Sequence, residues 1–416
     1  MSCGATIERF RLQPNTFTRQ RDLPFARLVT FMLNLRKGST EQELAGLCAV
    51  LDDEAVADKV PTRAAFSKAR KGLSQKLFAH LNRLAIETFC GGWSTPVWHG
   101  FRLRAVDGTT FRLPPGEALE RAFGAQENGP TLARGSMLYD IGHDLVLDAQ
   151  VAATCVGEHE LATEHLAHAA PGDLLIYDRG YPAFWFFALH RRLGVDFCMR
   201  LSRSSFAPAR AFFDSEEHST IVTLTPSAKQ RRACRDQAVS AEPVQVRLVH
   251  VRLRGGETEV LATSVLEEER LPARLFGALY HKRWSAEEHI KRQKRWAEIE
   301  NLSGRSALAV RQDIQAKILA MNLAAMVRNL AQRLAERRYA HRQFRYQVRA
   351  CSTLSAMKDN LVRLLLGEGD QQRRLLERLI LHLASAVDAV RPDRRFPRQN
   401  PGKLNPGFHP AYKRAA

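Results

Sequence analysis

The chain lacks the features that mark secreted and membrane proteins. Its seven cysteines are an odd number among 416 residues, and no Cys-x-x-Cys pair occurs. They predict reduced, mainly structural thiols, so a disulfide scaffold is excluded. No apolar run approaches the length of a membrane span, and the N-terminus has no apolar signal segment. We therefore expect a cytoplasmic protein.

Acidic residues are scarce relative to basic ones. The chain has 62 Lys and Arg against 44 Asp and Glu, a formal net charge of +18 and an isoelectric point of about 10.0. The basic residues are spread along the whole chain, whereas a membrane-surface protein would concentrate them on one amphipathic helix. This charge indicates a polyanionic partner, and nucleic acid is the favoured one.

The most unusual segment runs from Tyr280 to Lys294. Read as one helix, it places Tyr280, Arg283, Glu287 and Lys294 within an arc of about 60°, with Lys291 beside them. A core-facing helix would be apolar at these positions. A carboxylate among a phenol, a guanidinium and ammonium groups suits a metal-bound phosphodiester, because the carboxylate holds the cation and the bases hold phosphates.

Two segments upstream read as apolar strands that end on an aspartate. Asp107 is followed by Gly-Thr-Thr, and Asp178 is followed by Arg-Gly-Tyr. This pattern puts each aspartate at the carboxyl edge of a buried strand. Asp107, Asp178 and Glu287 are therefore the predicted catalytic residues and metal ligands. Oxygen ligands without cysteine favour Mg²⁺, with Mn²⁺ as an alternative.

Other titratable residues are weaker candidates for a metal site. Asp140, Asp144 and Asp148 lie in or around a predicted hairpin turn, where aspartates often make local hydrogen bonds. His165 and His168 are three residues apart and could bind a metal from one helix. An exposed polar helix is the favoured account of that pair, because the spacing is not His-Glu-x-x-His.

The three segments together resemble the motifs of DDE transposases of the bacterial IS4 superfamily. The helix motif of that family is Tyr, two residues, Arg, three residues, Glu, six residues, Lys. The segment from Tyr280 to Lys294 meets it without a gap, and the Asp107 and Asp178 segments match the other two motifs in order. The likeness runs from about Phe66 to the C-terminus.

The resemblance implies a metal-dependent DNA transposase. Such an enzyme cleaves the transposon ends by hydrolysis, and the freed 3′-OH then performs strand transfer by transesterification. Its partners would be double-stranded DNA, as terminal inverted repeats and as target DNA, and a second copy in a homodimer on DNA. The implied location is the bacterial nucleoid. Two alternatives stay open, namely an RNase H-like nuclease without strand transfer and a non-catalytic DNA-binding protein derived from a transposase.

The predicted DNA contacts lie on or near the three motifs. Trp284 could stack on a base or pack in the core, and Arg179 could reach a phosphate or pair with a neighbouring acid. The phosphate contacts that the resemblance implies are Tyr280, Arg283 and Lys294, with Lys291 beside them.

The predicted fold class is α/β, an RNase H-like catalytic core with a β-rich insertion, flanked by an N-terminal helical domain and a helical C-terminal region. The N-terminal part contains a basic helix with Lys68, Arg70 and Lys71, which is typical of a DNA-binding module or of a solvated face. The predicted parts are residues 1–95 (helical, DNA-binding), 96–201 and 267–340 (catalytic core), 202–266 (β-rich insertion) and 341–416 (helices and a basic tail from residue 391).

Overall fold

The structure, a computed structural model, describes residues 4–18, 22–54, 57, 59–127, 129–252 and 256–391. Its first part is helical, as the periodicity predicts. Ser39 and Gln42 form a reciprocal capping box at the start of the third helix, and the Thr62 hydroxyl caps the fourth. The N-terminal helices are α1 (Gly4–Phe10), α2 (Phe25–Leu33), α3 (Thr40–Asp52), α4 (Arg63–Lys71) and α5 (Lys76–Gly91).

An eight-stranded sheet follows these helices. Its strands are β1 (Arg102–Arg112), β2 (Leu132–Asp140), β3 (Leu145–Ala152), β4 (Asp173–Tyr177), β5 (Asp196–Arg200), β6 (Ser219–Leu224), β7 (Val244–Arg252) and β8 (Thr258–Thr263). The helices between them are α6 (Glu117–Phe123), α7 (Glu158–His165), α8 (Phe184–Leu193), α9 (Ala207–Phe213) and α10 (Ala228–Asp236).

The strand order is β3-β2-β1-β4-β5-β8-β7-β6. Strands β1 to β3 form an antiparallel meander, and β4 and β5 are parallel to β1. This is the arrangement of an RNase H-like core. The predicted insertion supplies β6 to β8, which continue the same sheet because β8 pairs antiparallel with β5. The predicted α/β fold with its insertion and helical flanks is confirmed.

Strand β1 differs from the prediction at Asp107. The strand does not end there in a glycine turn but continues to Arg112, because β2 pairs with it from Arg104 to Arg112. The parallel strand β4 is shorter, and its last pairing with β1 joins Ala105 to Ile176. Asp107 therefore lies within β1, yet just beyond the end of β4.

The chain returns to helices after β8. No helix among the described residues is both long and apolar enough to cross a membrane. Of the predicted basic tail, the structure describes only Arg391. The C-terminal elements are α11 (Phe276–His281), α12 (Trp284–Arg295), α13 (Ala307–Arg338), β9 (Arg345–Val348), α14 (Ala350–Met357), α15 (Asn360–Leu366), α16 (Gly369–Leu383) and β10 (Val387–Val390).

The N-terminal helices share one hydrophobic core with α13 and with the C-terminal helices. A buried ionic cluster ties them further, since Arg36 and Arg70 each donate to Asp313 at 3.0 Å. Arg70 was expected on a basic surface helix, but it is only 4% exposed, and Lys68 and Lys71 alone remain on the surface. The boundary at residue 95 stays a prediction.

Candidate active site

The three predicted motifs meet at the end of β4. Asp178 directly follows that strand, and Asp107 lies beside it in β1. The Tyr280 hydroxyl donates a hydrogen bond to Asp178 Oδ1 at 3.0 Å, which brings α11 to this edge. At the start of α12, Arg283 donates to Glu287 Oε1 at 2.7 Å. Residues that are more than 100 positions apart in the chain are therefore neighbours here.

The sequence predicted a single helix from Tyr280 to Lys294, but the structure has two helices there. Helix α11 ends at His281 and α12 begins at Trp284. Between them the amide of Arg283 bonds to the carbonyl three residues before it, which is the tighter 3₁₀ pattern. Tyr280 therefore does not share one helix face with Glu287 and Lys294, as it would in a single regular helix. Consequently Tyr280 contacts Asp178, whereas Arg283 contacts Glu287.

The two aspartates have opposite pKa shifts. Burial raises the pKa of Asp107 to about 6, and the negative charges of Glu287 and Asp178 add to this effect against the opposing charge of Arg283. Burial would also raise the pKa of Asp178, but the Arg179 amide, the Arg283 charge and the Tyr280 hydrogen bond lower it overall. Asp107 is therefore the carboxylate that lacks sufficient positive charge.

Arg283 lies between the acidic residues. Its side chain is buried and its Nε atom has no hydrogen-bond partner among the described residues. Burial lowers the pKa of Arg283, but Tyr280, Glu287 and Asp178 outweigh this and raise it. The same charges act on Tyr280, whose pKa is raised by burial and by Asp178. One guanidinium thus compensates several carboxylates in the metal-free protein.

The donor set suits a hard divalent cation. Asp107, Asp178 and Glu287 offer only oxygen ligands. Burial, and then the charges of Glu287 and Asp178, raise the pKa of Asp107, and a nearby cation would oppose this shift. As the side chains stand, no three His, Cys, Asp or Glu residues within the described ranges are grouped to hold a metal ion. Glu287 is engaged with Arg283 instead. The residues fit a cation by their chemistry, provided that this ion pair opens.

The predicted DNA contacts lie at different depths. Lys294 donates to the Thr110 carbonyl at 2.7 Å, three residues beyond Asp107 in β1. Lys291 pairs with Glu288 at 2.6 Å on the surface. Two further predicted contacts, Arg179 and Trp284, are also exposed.

Trp284 lies on the surface, and its predicted stacking on a base stays a prediction. Its side chain is 39% exposed, which disfavours packing in the core and leaves an aromatic face accessible to solvent. Tyr280 and Arg283 are instead buried, at 6% and 5% exposure. The inner members of the motif therefore contact the carboxylates, and the outer ones border the site.

Asp144 does not make the local turn contacts that were expected. It accepts two hydrogen bonds from Arg292, at 2.7 and 2.6 Å, and its other donors include Arg328 and Tyr139. His289 Nδ1 lies 3.1 Å from it. Burial would raise the pKa of Asp144, but these cationic neighbours hold it well below its usual range. Its only sequence signal is its place in a turn.

His165 also differs from the expectation of an exposed polar helix. It is completely buried, with Nδ1 2.7 Å from Asp148 Oδ2 and Nε2 2.9 Å from Ser136 Oγ. Asp148 lies within β3, outside the turn, and His168 lies 3.7 Å from it on the surface side. The pair joins α7 to the sheet, so a buried structural network explains these residues.

Comparison with known proteins identifies the family of this chain. No curated protein matches the sequence. Among solved structures, the cryo-EM structure of the piggyBac transposase synaptic complex with hairpin DNA has a TM-score of 0.42 and 10% identity, covering 85% of this chain and 74% of that chain. The family described as "Transposase DDE domain" matches residues 98–323. Because this match spans more than half of the 416 residues, the chain belongs to the transposase DDE domain family.

Proposed function

We propose that this DDE transposase serves an IS4-type insertion sequence. It would cleave DNA at the transposon ends by hydrolysis and then join the freed ends to target DNA. The meeting of Asp178 with Tyr280, and of Arg283 with Glu287, next to Asp107 is the observation that supports this most. It brings carboxylates and basic groups together from all three motifs that resemble the family.

The reaction consists of two phosphoryl transfers without a covalent protein intermediate. Water oxygen attacks the scissile phosphorus, the P–O3′ bond breaks, and the leaving 3′ oxygen takes up a proton. In the second step the 3′ oxygen attacks a phosphorus of the target DNA and displaces another 3′ oxygen. Both steps need oxygen ligands for a cation and positive charge near the phosphate.

The proposed cofactor is Mg²⁺, or alternatively Mn²⁺, with Asp107, Asp178 and Glu287 as its ligands. When bound, such a cation lowers the pKa of a water and stabilises the leaving 3′ oxygen. The Tyr280 hydroxyl would keep Asp178 oriented, because it already donates to Oδ1. The Arg283 guanidinium donates to Glu287, so it would have to release Glu287 before that carboxylate could bind a cation. The released guanidinium would then be available to a phosphate.

The outer basic and aromatic groups are the proposed contacts to transposon-end DNA. Lys294 contacts the carbonyl of Thr110 in the β1 segment that contains Asp107, while Lys291, Arg179 and Trp284 are exposed. Phosphates would bind the cations, and an unpaired base would stack on the indole. We propose double-stranded DNA and a second copy of the chain as partners, the latter because two transposon ends must be paired. The proposed location is the bacterial cytoplasm, on the nucleoid.

Replacing Glu287 tests this function directly. Glu287→Gln should retain binding to transposon-end DNA but lose Mg²⁺-dependent cleavage by at least about 1,000-fold, because an amide is a poor ligand for a hard cation. Glu288→Gln is the matched control, since Glu288 is the next residue of α12 and pairs with Lys291 on the surface. Binding is measured by gel shift and cleavage on end-labelled duplexes.

Three outcomes would change the proposal. Cleavage by Glu287→Gln at the wild-type rate would remove Glu287 from the site. Cleavage without joining to a target duplex would favour the nuclease alternative. Binding without any cleavage by the wild-type protein, in Mg²⁺ or Mn²⁺, would favour the non-catalytic alternative.

A further inference from the structure

A glutamate outside the predicted motifs borders both aspartate segments. Glu158 is the first residue of α7, which lies between β3 and β4. A Cβ atom placed on Gly108 would lie 3.5 Å from its Oε1, and one on Gly180 would lie 3.6 Å from its Oε2. Gly108 follows Asp107, and Gly180 comes two residues after Asp178. The carboxylate of Glu158 therefore lies next to the backbone of both segments.

The sheet is open at this point. The last pairing of β1 with β4 is at Ala105, so β1 has no partner from β4 beside Gly108, and glycine adds no side chain there. Helix α7 shares a hydrophobic core with Val106 on one face of the sheet, and α12 shares a separate core with Ala105 on the other. Glu158 and Glu287 thus reach the same opening from opposite faces.

A buried hydroxyl without a partner points to a ligand in this opening. Tyr181 is 3% exposed, and its hydroxyl has no hydrogen-bond partner among the described residues. Burial raises the pKa of Tyr181, and the charges of Glu158, Asp107 and Asp178 raise it further. Leaving a buried hydroxyl without a partner is unfavourable, because it loses its hydrogen bond to water and gains none in the protein. A ligand held among these carboxylates would accept its hydrogen bond.

Glu158 is free to bind such a ligand. Its side chain is 49% exposed, and within the described part of the chain its one ion-pair partner is Arg134, at the long distance of 3.9 Å. The neighbouring His159 holds α7 in place, because its Nε2 lies 2.9 Å from the Tyr181 carbonyl oxygen. The helix start is therefore attached to the turn that contains Asp178.

We propose that Glu158 is a fourth carboxylate of the active site and a ligand of the divalent cation, together with Asp107 and Asp178. Tyr181 would donate its hydroxyl hydrogen to a water or phosphate oxygen bound to the same cation. This inference rests on the proposed function, since it assigns a further ligand to the same cation.

Mn²⁺ binding to the full-length protein without DNA tests the proposal. Free Mn²⁺ is measured by electron paramagnetic resonance during titration of wild type, Glu158→Gln, Glu158→Asp and Asp178→Asn. Glu160→Gln is the matched control, because Glu160 lies in the same turn of α7 and is exposed. We expect Glu158→Gln to weaken Mn²⁺ binding by roughly 10- to 100-fold, Glu158→Asp to fall between, and Glu160→Gln to match wild type.

The variants separate this inference from the function on which it rests. If Asp178→Asn weakens Mn²⁺ binding and Glu158→Gln does not, Glu158 is not a ligand, although the proposed cation site stands. Equal weakening by Glu158→Gln and Glu160→Gln would reduce the effect to bulk charge and overturn the proposal. If wild type and Asp178→Asn bind Mn²⁺ equally weakly, both the cation site and the role of Glu158 fail. Thermal unfolding of each variant verifies that it is folded.

Discussion

At the scale of single residues, the site separates two aspartates that look equivalent in the sequence. Both follow apolar runs and both face Arg283, yet the pKa of Asp107 is raised to about 6 and that of Asp178 is lowered. Burial raises the pKa of both, and neighbouring carboxylates add to this at Asp107, whereas hydrogen bonds and Arg283 outweigh it at Asp178. Tyr280 and the Arg179 amide donate to Asp178, whereas among the described residues Asp107 accepts from the amide of Gly108. The negative charge of Asp107 is therefore less well compensated than that of Asp178.

Removing the charge of Asp107 should stabilise the metal-free protein above pH 6. The Asp107 carboxyl binds a proton more tightly in the folded state, with a pKa of about 6, than in the unfolded chain, where its pKa is near 3.8. The penalty is therefore absent below about pH 4, grows as pH rises and is complete above about pH 6. In EDTA at pH 8, Asp107→Asn should raise Tm and increase the free energy of unfolding by on the order of 1–3 kcal/mol. At pH 4 the substitution should change both quantities little.

Asp178→Asn is the matched control with the opposite sign. Because the pKa of Asp178 is lowered, its charge stabilises the folded state above the unfolded pKa, and this contribution is lost as pH falls through the folded pKa. The variant should therefore lower Tm at pH 8. If both substitutions shift Tm in the same direction in EDTA, the charge distribution described for the metal-free site is wrong.

At the scale of elements, α12 is held in place by a residue outside all three motifs. Asp144 follows β2 and binds Arg292 of α12 and Arg328 of α13, with His289 beside them. The helix that contains Glu287 is thereby attached to the sheet and to the long C-terminal helix. A pattern of hydrophobic spacing predicts that α12 exists, but it does not indicate which turn residue anchors it.

Replacing Asp144 should destabilise the fold much more than breaking a surface ion pair. Asp144→Ala leaves two arginines without their shared carboxylate in a buried place, which costs about 3–5 kcal/mol. Asp214→Ala is the control, because Asp214 pairs with Arg203 while 62% exposed, and we expect a change of about 0–1 kcal/mol. Urea unfolding measures both. Equal effects would show that Asp144 does not anchor α12.

At the scale of the whole molecule, the N-terminal helices belong to the same hydrophobic core as α13 and the C-terminal helices. Asp313 of α13 accepts from both Arg36 and Arg70, and burial opposes its charge, but the two arginines lower its pKa overall. Lys317, one turn further, is fully buried and its pKa falls to about 7. The basic residue Arg70 is therefore part of the interior and unavailable to DNA.

Deleting residues 1–95 should abolish cooperative folding of the remainder. The fragment of residues 96–416 would expose the apolar face of α13 and leave Asp313 buried without Arg36 and Arg70. Calorimetry of the full chain should show one transition that includes these helices, and the point variant Asp313→Asn should lower its Tm. A fragment that unfolds cooperatively near the wild-type Tm would show that the N-terminal helices form an independent domain.

The sequence by itself indicated the DDE transposase family, through motifs that resemble it, together with the alternation of strands and helices in the core and three candidate carboxylates, because these depend on local spacing. It did not predict the helices α9 and α10 within the β-rich insertion or the short strands β9 and β10 in the C-terminal region. It could not predict that β1 continues past Asp107, since pairing with β2 decides where that strand ends. Nor could it predict the break between α11 and α12, where the Arg283 amide donates to the carbonyl of Tyr280, three residues before it. Only the tertiary structure decided the partners of Asp144, Arg70 and Glu158, because each is made by residues that are distant in the chain.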